Sequence, residues 1–131
     1  MELLSPDYSE CPFACLGSWD EAESWLELFP GSKIGLTGVV TNVNAKAVHE
    51  VAKRVPLDRL LLETDAPYFL PARLAKSASS YNYQFSQPGQ VIHVAAQIAS
   101  LRCATLEEVL EANRRNIEEV YGIAMKTQNG K

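Results

Sequence analysis

Glu63 and Asp65 close the run Leu60-Leu61-Leu62-Glu63-Thr64-Asp65-Ala66-Pro67-Tyr68. Alternation along a strand puts both carboxylates on one face, with Thr64 opposite. A parallel strand covered on both sides meets water only at its ends, and ligands of parallel α/β folds gather at the carboxyl edge. Two carboxylates converging there suit a divalent cation or acid–base chemistry. A plainer structural reading is equally open from spacing: Glu63 bonds a neighbouring loop and Asp65 caps the turn before Pro67.

Residues 66 to 88 read as one long loop, punctuated by Pro67, Pro71 and Pro88 and by Ser77-Ala78-Ser79-Ser80. Loops of that length inside a compact domain are usually functional or disordered. It interleaves Tyr68, Phe69, Tyr81, Tyr83 and Phe85 with Arg73 and Lys76, a mixture that can stack bases and hold a phosphate backbone. Tyr68, Arg73 and Lys76 are the candidate substrate contacts. The competing reading packs the aromatic rings against the body of the fold.

Other reactive types lack partners in sequence. His49 and His93 fall in different helices with no second ligand at a useful spacing, and read as packed or solvated side chains. Cys11 and Cys15 have no second pair to close a tetrahedral site, so these and Cys103 read as free thiols. Asn113 and Asn116 lie on or near the apolar face of the last helix. A buried amide needs partners, so Asn116 is expected to fasten that helix to a strand end or loop.

The elements that must position these groups alternate. Residues 1–12 are irregular, and Phe13-Ala14-Cys15-Leu16 forms a short strand ending at Gly17. Ser18-Trp19-Asp20-Glu21 has the form of a capping box opening a helix from Trp19 to Leu28, which Pro30-Gly31 stops. Lys33 to Val43, rich in β-branched residues, reads as a covered strand in which Gly35 and Gly38 mark close backbone approach or a bulge. Val48, Val51, Ala52 and Val55 share a helix face that halts before Pro56, with Lys53 and Arg54 at its negative end. Leu60-Leu61-Leu62 is the next strand, and strand–helix–strand makes a βαβ unit with parallel strands. Gly89 to Arg102 is helical. Thr105-Leu106-Glu107-Glu108 is a second capping box, opening a helix to Tyr121 with Gly122 as a left-handed cap.

Composition limits the partners. With 131 residues, 47% hydrophobic and 21% charged, the chain has the make-up of a globular domain rather than of a disordered, collagenous or coiled-coil one. A net charge of −4 gives no general field for nucleic acid, so such contact must come from a local patch or a metal. The acidic start, Met1-Glu2-Leu3-Leu4-Ser5-Pro6-Asp7, has neither the basic residues nor the apolar run of a secretion signal. These features predict a soluble, intracellular chain in cytoplasm or nucleus, with no membrane contact.

The run Leu61-Leu62-Glu63-Thr64-Asp65-Ala66-Pro67-Tyr68 resembles the C-terminal signature of TatD-related metal-dependent deoxyribonucleases. Gly17-Ser18 before a helix ending in Phe29-Pro30, the strand Ile34-Gly35-Leu36-Thr37-Gly38, Pro88-Gly89, and a last helix with Asn116 and Val120-Tyr121 follow in the same order. The resemblance spans about Phe13 to Ile123. It implies an α/β fold, the C-terminal part of a TIM (β/α)8 barrel, with an irregular segment 1–12, a partial barrel domain 13–123 and a polar tail 124–131.

It further implies hydrolysis of phosphodiester bonds in DNA, or RNA, by water activated on divalent Mg, Mn or Zn. Those ions are held by an N-terminal His-x-His, a glutamate, further histidines and a terminal aspartate. Asp65 matches that aspartate as metal ligand and catalytic residue, and Glu63 would support it from behind. The chain has no His-x-His, Phe13 stands where the family has a histidine before Gly17-Ser18, and a whole barrel takes at least ~200 residues. The isolated chain is therefore expected to be inactive, and to self-associate through strand edges that the rest of a barrel would cover. The alternative expectation is a non-enzymatic remnant that binds nucleic acid or protein.

Overall fold

The computed structural model describes residues 12–14, 17–64 and 88–123. Asp65, Tyr68, Arg73 and Lys76, with the rest of the loop that carries them, lie outside the described residues, as do Cys11, Cys15 and the tail 124–131.

Three short strands, β1 (Pro12–Ala14), β2 (Lys33–Leu36) and β3 (Leu60–Leu62), form one parallel sheet in chain order. Phe13 pairs with Ile34, and Gly35 with Leu61. Parallel neighbours need crossover connections, which α1 (Trp19–Leu28) and α2 (Lys46–Arg54) provide. Two further helices follow, α3 (Val91–Arg102) and α4 (Leu106–Tyr121).

All four residues of β2 are buried, as a strand covered on both faces requires. Ile34, Leu36 and Leu60 from the sheet meet Val48, Val51 and Ala52 of α2, Val94, Ala95 and Ile98 of α3, and Val109 of α4 in one core. Burying side chains of this size stabilises by about 1.5–3 kcal/mol each, before the cost of ordering them. Arg102 ties two helices together by donating to the carbonyls of Ala52 and Val55, acceptors that the end of α2 would otherwise leave unpaired.

Two sequence expectations change. The strand over Lys33–Val43 ends at Leu36, and Gly38–Thr41 forms a 3₁₀ turn, so Gly38 lies outside the strand. The cause is local: Thr37 Oγ1 accepts from the Val39 amide at 3.4 Å, and Thr41 Oγ1 donates to the Gly38 carbonyl at 2.6 Å. Threonine hydroxyls thus offer the backbone partners that a strand ladder would have supplied. Val40 is buried all the same, so its β-branched character serves the core through the turn.

The second concerns α1. Ser18 takes the extended backbone of an N-cap, but its side chain makes no capping bond. The Glu21 carboxylate instead occupies the space a Cβ at Gly17 would take. At α4 both halves of the capping box form: the Glu108 amide donates to Thr105 Oγ1 at 3.1 Å and the Thr105 amide to Glu108 Oε2 at 2.8 Å. Gly122, at φ +62°, ends that helix in the left-handed conformation.

Candidate functional site at the carboxyl edge of the sheet

The carboxyl ends of β2 and β3 meet at Leu36 and Glu63. The Glu63 amide donates to the Leu36 carbonyl at 2.9 Å, carrying the ladder one residue beyond β3. The half-buried Glu63 side chain lies back over β2: a Cβ on Gly35 would stand 2.5 Å from the carboxyl carbon and 2.6 Å from each oxygen. Only a glycine at 35 leaves room for a carboxylate there without displacement. This is the close approach that Gly35 suggested.

The opposite edge of β3 is held by α4. Asn113 Oδ1 accepts from the Leu62 amide at 2.9 Å. Asn116 Nδ2 donates to the Leu60 carbonyl at 2.6 Å and the Leu57 carbonyl at 2.8 Å. Asn116 is 2% exposed, and its amide satisfies two acceptors that would otherwise be orphaned. Glu63 and Asn116 therefore stand at opposite ends of β3, the carboxylate at the carboxyl edge and the amide beneath it.

At the amino end of the sheet Lys33 is buried, and its Nζ donates to the Asp58 carbonyl and to Glu119 Oε2, each at 2.8 Å. Arg59 is used structurally, donating to the carbonyls of Phe29 and Ser32. A cavity of about 470 Å³ flanks α4 between Leu57, Asp58, Ala112 and Glu119, and its lining does not include Glu63. His49 Nε2 lies 2.8 Å from the Val40 carbonyl and is engaged in packing α2 on the 3₁₀ turn.

Of the candidate residues, the described structure brings Glu63 to the carboxyl edge and Asn116 behind it; Asp65, Tyr68, Arg73 and Lys76 lie outside the described residues. Among the described residues no three His, Cys, Asp or Glu side chains converge to hold a metal ion, so these residues alone do not make up a metal centre. The seat at Gly35 and the hold of Asn113 on Leu62 are the features that spacing did not assign. The signal for the second was the i,i+3 separation of two amides on an apolar helix face.

Residues 13–122 match the family model of the TatD related DNases. The human 3'-5' RNA nuclease TATDN2 is 34% identical over 122 residues, covering 93% of this chain and 16% of that protein. The 3'-5' ssDNA/RNA exonuclease TatD of Citrobacter rodentium is 34% identical over 133 residues, covering 97% and 48% respectively. A Bacillus subtilis protein named as an uncharacterized metal-dependent hydrolase, YabD, is 37% identical over 86 residues, 66% of this chain and 31% of its own. Among solved structures, the TatD homologue YJJV of Escherichia coli K12 matches with a TM-score of 0.73 at 28% identity, covering 90% of this chain and 43% of that one. The chain spans about half the length of these relatives, or less. Its parallel strands and helices are the C-terminal part of an α/β TIM barrel.

Proposed function

Because the chain belongs to the TatD related DNase family, we propose that it is the C-terminal portion of a metal-dependent hydrolase that cleaves phosphodiester bonds in DNA, with RNA as the second substrate. The observation that carries this reading is Glu63 at the carboxyl edge of the sheet, its backbone tied to Leu36 and its carboxylate seated on Gly35, with Asp65 two positions on in sequence. The names of the relatives, an RNA nuclease and an ssDNA/RNA exonuclease, support the substrate class.

In this account Asp65 is the catalytic residue and a ligand of a divalent Mg, Mn or Zn ion, whose other ligands lie outside the described residues. Glu63 supports Asp65 through the polar surroundings of the strand end. Tyr68, Arg73 and Lys76 contact the nucleic acid, the ring by stacking and the cations through phosphate. Asn116 keeps α4 on β3. Such a metal supplies an activated water and a polarised phosphoryl oxygen when bound. The protein acts inside the cell, in cytoplasm or nucleus; no helix among the described residues is long and apolar enough to cross a membrane.

A second reading, a remnant that binds nucleic acid or protein without catalysis, is favoured by one observation. Phe13, which pairs with Ile34 in β1, stands where the resemblance to the family implies a histidine, and phenylalanine cannot ligate a metal.

The test is cleavage of single-stranded DNA and RNA by the 131-residue chain and by the same chain joined behind the N-terminal half-barrel of a TatD relative, each with Mg²⁺ or Mn²⁺ and with a chelator. We expect cleavage from the joined protein alone, abolished by the chelator. Metal-dependent cleavage by the short chain that Asp65→Asn removes would overturn its predicted inactivity. A well-folded joined protein without activity would favour the remnant.

A further inference from the structure

Thr37 follows directly on the strand that seats Glu63. Its backbone is still extended, at φ −101° and ψ −176°, so the alternation of β2 runs on through it. Ile34 and Leu36 turn toward the helices and join their core. Gly35 and Thr37 therefore share the other face, the one on which the Glu63 carboxylate lies over Gly35. One position past the Leu36–Leu62 pair, Thr37 stands opposite Glu63, two residues, or about 7 Å, along the strand from the seat of the carboxylate. Its side chain belongs to the carboxyl edge, yet Thr37 is only 4% exposed.

A hydroxyl has one proton to give and lone pairs to receive with. Thr37 Oγ1 accepts from the Val39 amide at 3.4 Å, which uses a lone pair and leaves the proton. Among the described residues no atom accepts that proton. The Thr41 hydroxyl differs, since it donates to the Gly38 carbonyl. A buried donor without an acceptor costs stability, and closing the turn at Val39 takes only the oxygen. We infer that the Thr37 hydroxyl is kept for the substrate: it donates to a non-bridging oxygen of the phosphodiester held at the carboxyl edge. A phosphate oxygen is an anionic acceptor, and hydrogen bonds to charged groups are the strong ones. The Glu63 carboxylate does not take the proton, because it leans back over Gly35. The inference rests on the nuclease reading above and adds to it a group that grips the reacting phosphate.

The experiment uses the joined full barrel and its Thr37→Val and Thr37→Ser variants, in Mn²⁺. The single-stranded DNA carries at its cleaved linkage an ordinary phosphodiester or either phosphorothioate diastereomer. Valine keeps the shape of threonine and removes the hydroxyl; where Thr37→Val fails to fold, Thr37→Ala answers the same question. We expect Thr37→Val to lower kcat/KM about 10–100-fold on the ordinary linkage. On the diastereomer whose sulfur, a weak acceptor, replaces the bonded oxygen, the loss should be less than about threefold. Thr37→Ser should restore most of the activity. A folded Thr37→Val that cleaves ordinary DNA as well as the unsubstituted protein would overturn the proposal and leave the nuclease reading intact. An equal loss on all three substrates would also overturn it, because a role confined to the turn does not distinguish oxygen from sulfur. If the unsubstituted joined protein folds and cleaves nothing, the nuclease reading falls, and anisotropy titration of a labelled oligothymidylate with the same proteins in Ca²⁺ decides the proposal. Binding about tenfold weaker in Thr37→Val would then support it, and equal binding, or none by either protein, would overturn it.

Discussion

The carboxyl group of Glu63 rests on the backbone of Gly35, with no space between them for a Cβ. The residue that opens the carboxyl edge of β3 is thus placed by a residue in the middle of β2, and the two positions are coupled through a missing atom.

Gly35→Ala should therefore displace Glu63 and cost about 1–2 kcal/mol, with most of that cost disappearing in a Glu63→Ala background. Urea denaturation of both singles and the double gives the coupling directly. Equal costs of Gly35→Ala in the two backgrounds would show that the glycine serves something other than the carboxylate.

Asn116→Ala should destabilise by about 2 kcal/mol, because the buried Leu60 carbonyl and the part-buried Leu57 carbonyl lose their donor. Asn116→Asp should cost at least as much at neutral pH, since an ionised carboxylate has no proton to donate. A loss under 1 kcal/mol for both, read from chemical denaturation, would contradict the assigned bonds.

Lys33 and Glu119 form an unequal pair: the lysine is 3% exposed and the glutamate 65%. Glu119→Gln should cost no more than about 1 kcal/mol, as expected of a partner in water. Lys33→Ala should cost about 2–3 kcal/mol, because the Asp58 carbonyl loses its donor and a long buried stem is removed. Similar costs for the two would refute this asymmetry.

Acid sensitivity has a defined source on α4. Side-chain hydrogen bonds from Arg114, reinforced by its charge and by Arg115, hold the Glu111 carboxyl down to about 2. A carboxylate depressed in the folded state adds stability above its unfolded pKa of about 4.3, and that stability is lost as pH falls toward 2. Between pH 5 and 2 the melting temperature of the unsubstituted chain should fall more steeply than that of Glu111→Gln, with the two curves converging at the acid end. Parallel curves would contradict the assignment.

The limits of α1 and α4 were readable because their signals are local: Pro30-Gly31 halts one, and Thr105, Glu108 and Gly122 bracket the other. The end of β2 was hidden by the same kind of signal. Val39, Val40 and Thr41 have strand-type side chains, yet the hydroxyls of Thr37 and Thr41 close a turn that a propensity reading does not see. At the site, the place of Glu63 at the end of β3 was legible in the apolar run before it, while its seat on Gly35 depends on which residue lies across the sheet. The hold of Asn113 on Leu62 spans 51 positions in sequence. Helical spacing puts that side chain near the core and leaves its partner to the tertiary fold.

The central claim is that Asp65 is the catalytic metal ligand of a barrel nuclease and that Glu63 supports it. The most direct measurement is kcat for single-stranded DNA, with Mn²⁺ titrated, in the joined full barrel and its Asp65→Asn and Glu63→Gln variants. The account predicts that Asp65→Asn abolishes turnover at every metal concentration, while Glu63→Gln lowers activity or metal affinity by about 10–100-fold. An Asp65→Asn protein that keeps its turnover, or loses no more than the Glu63→Gln protein does, would contradict it.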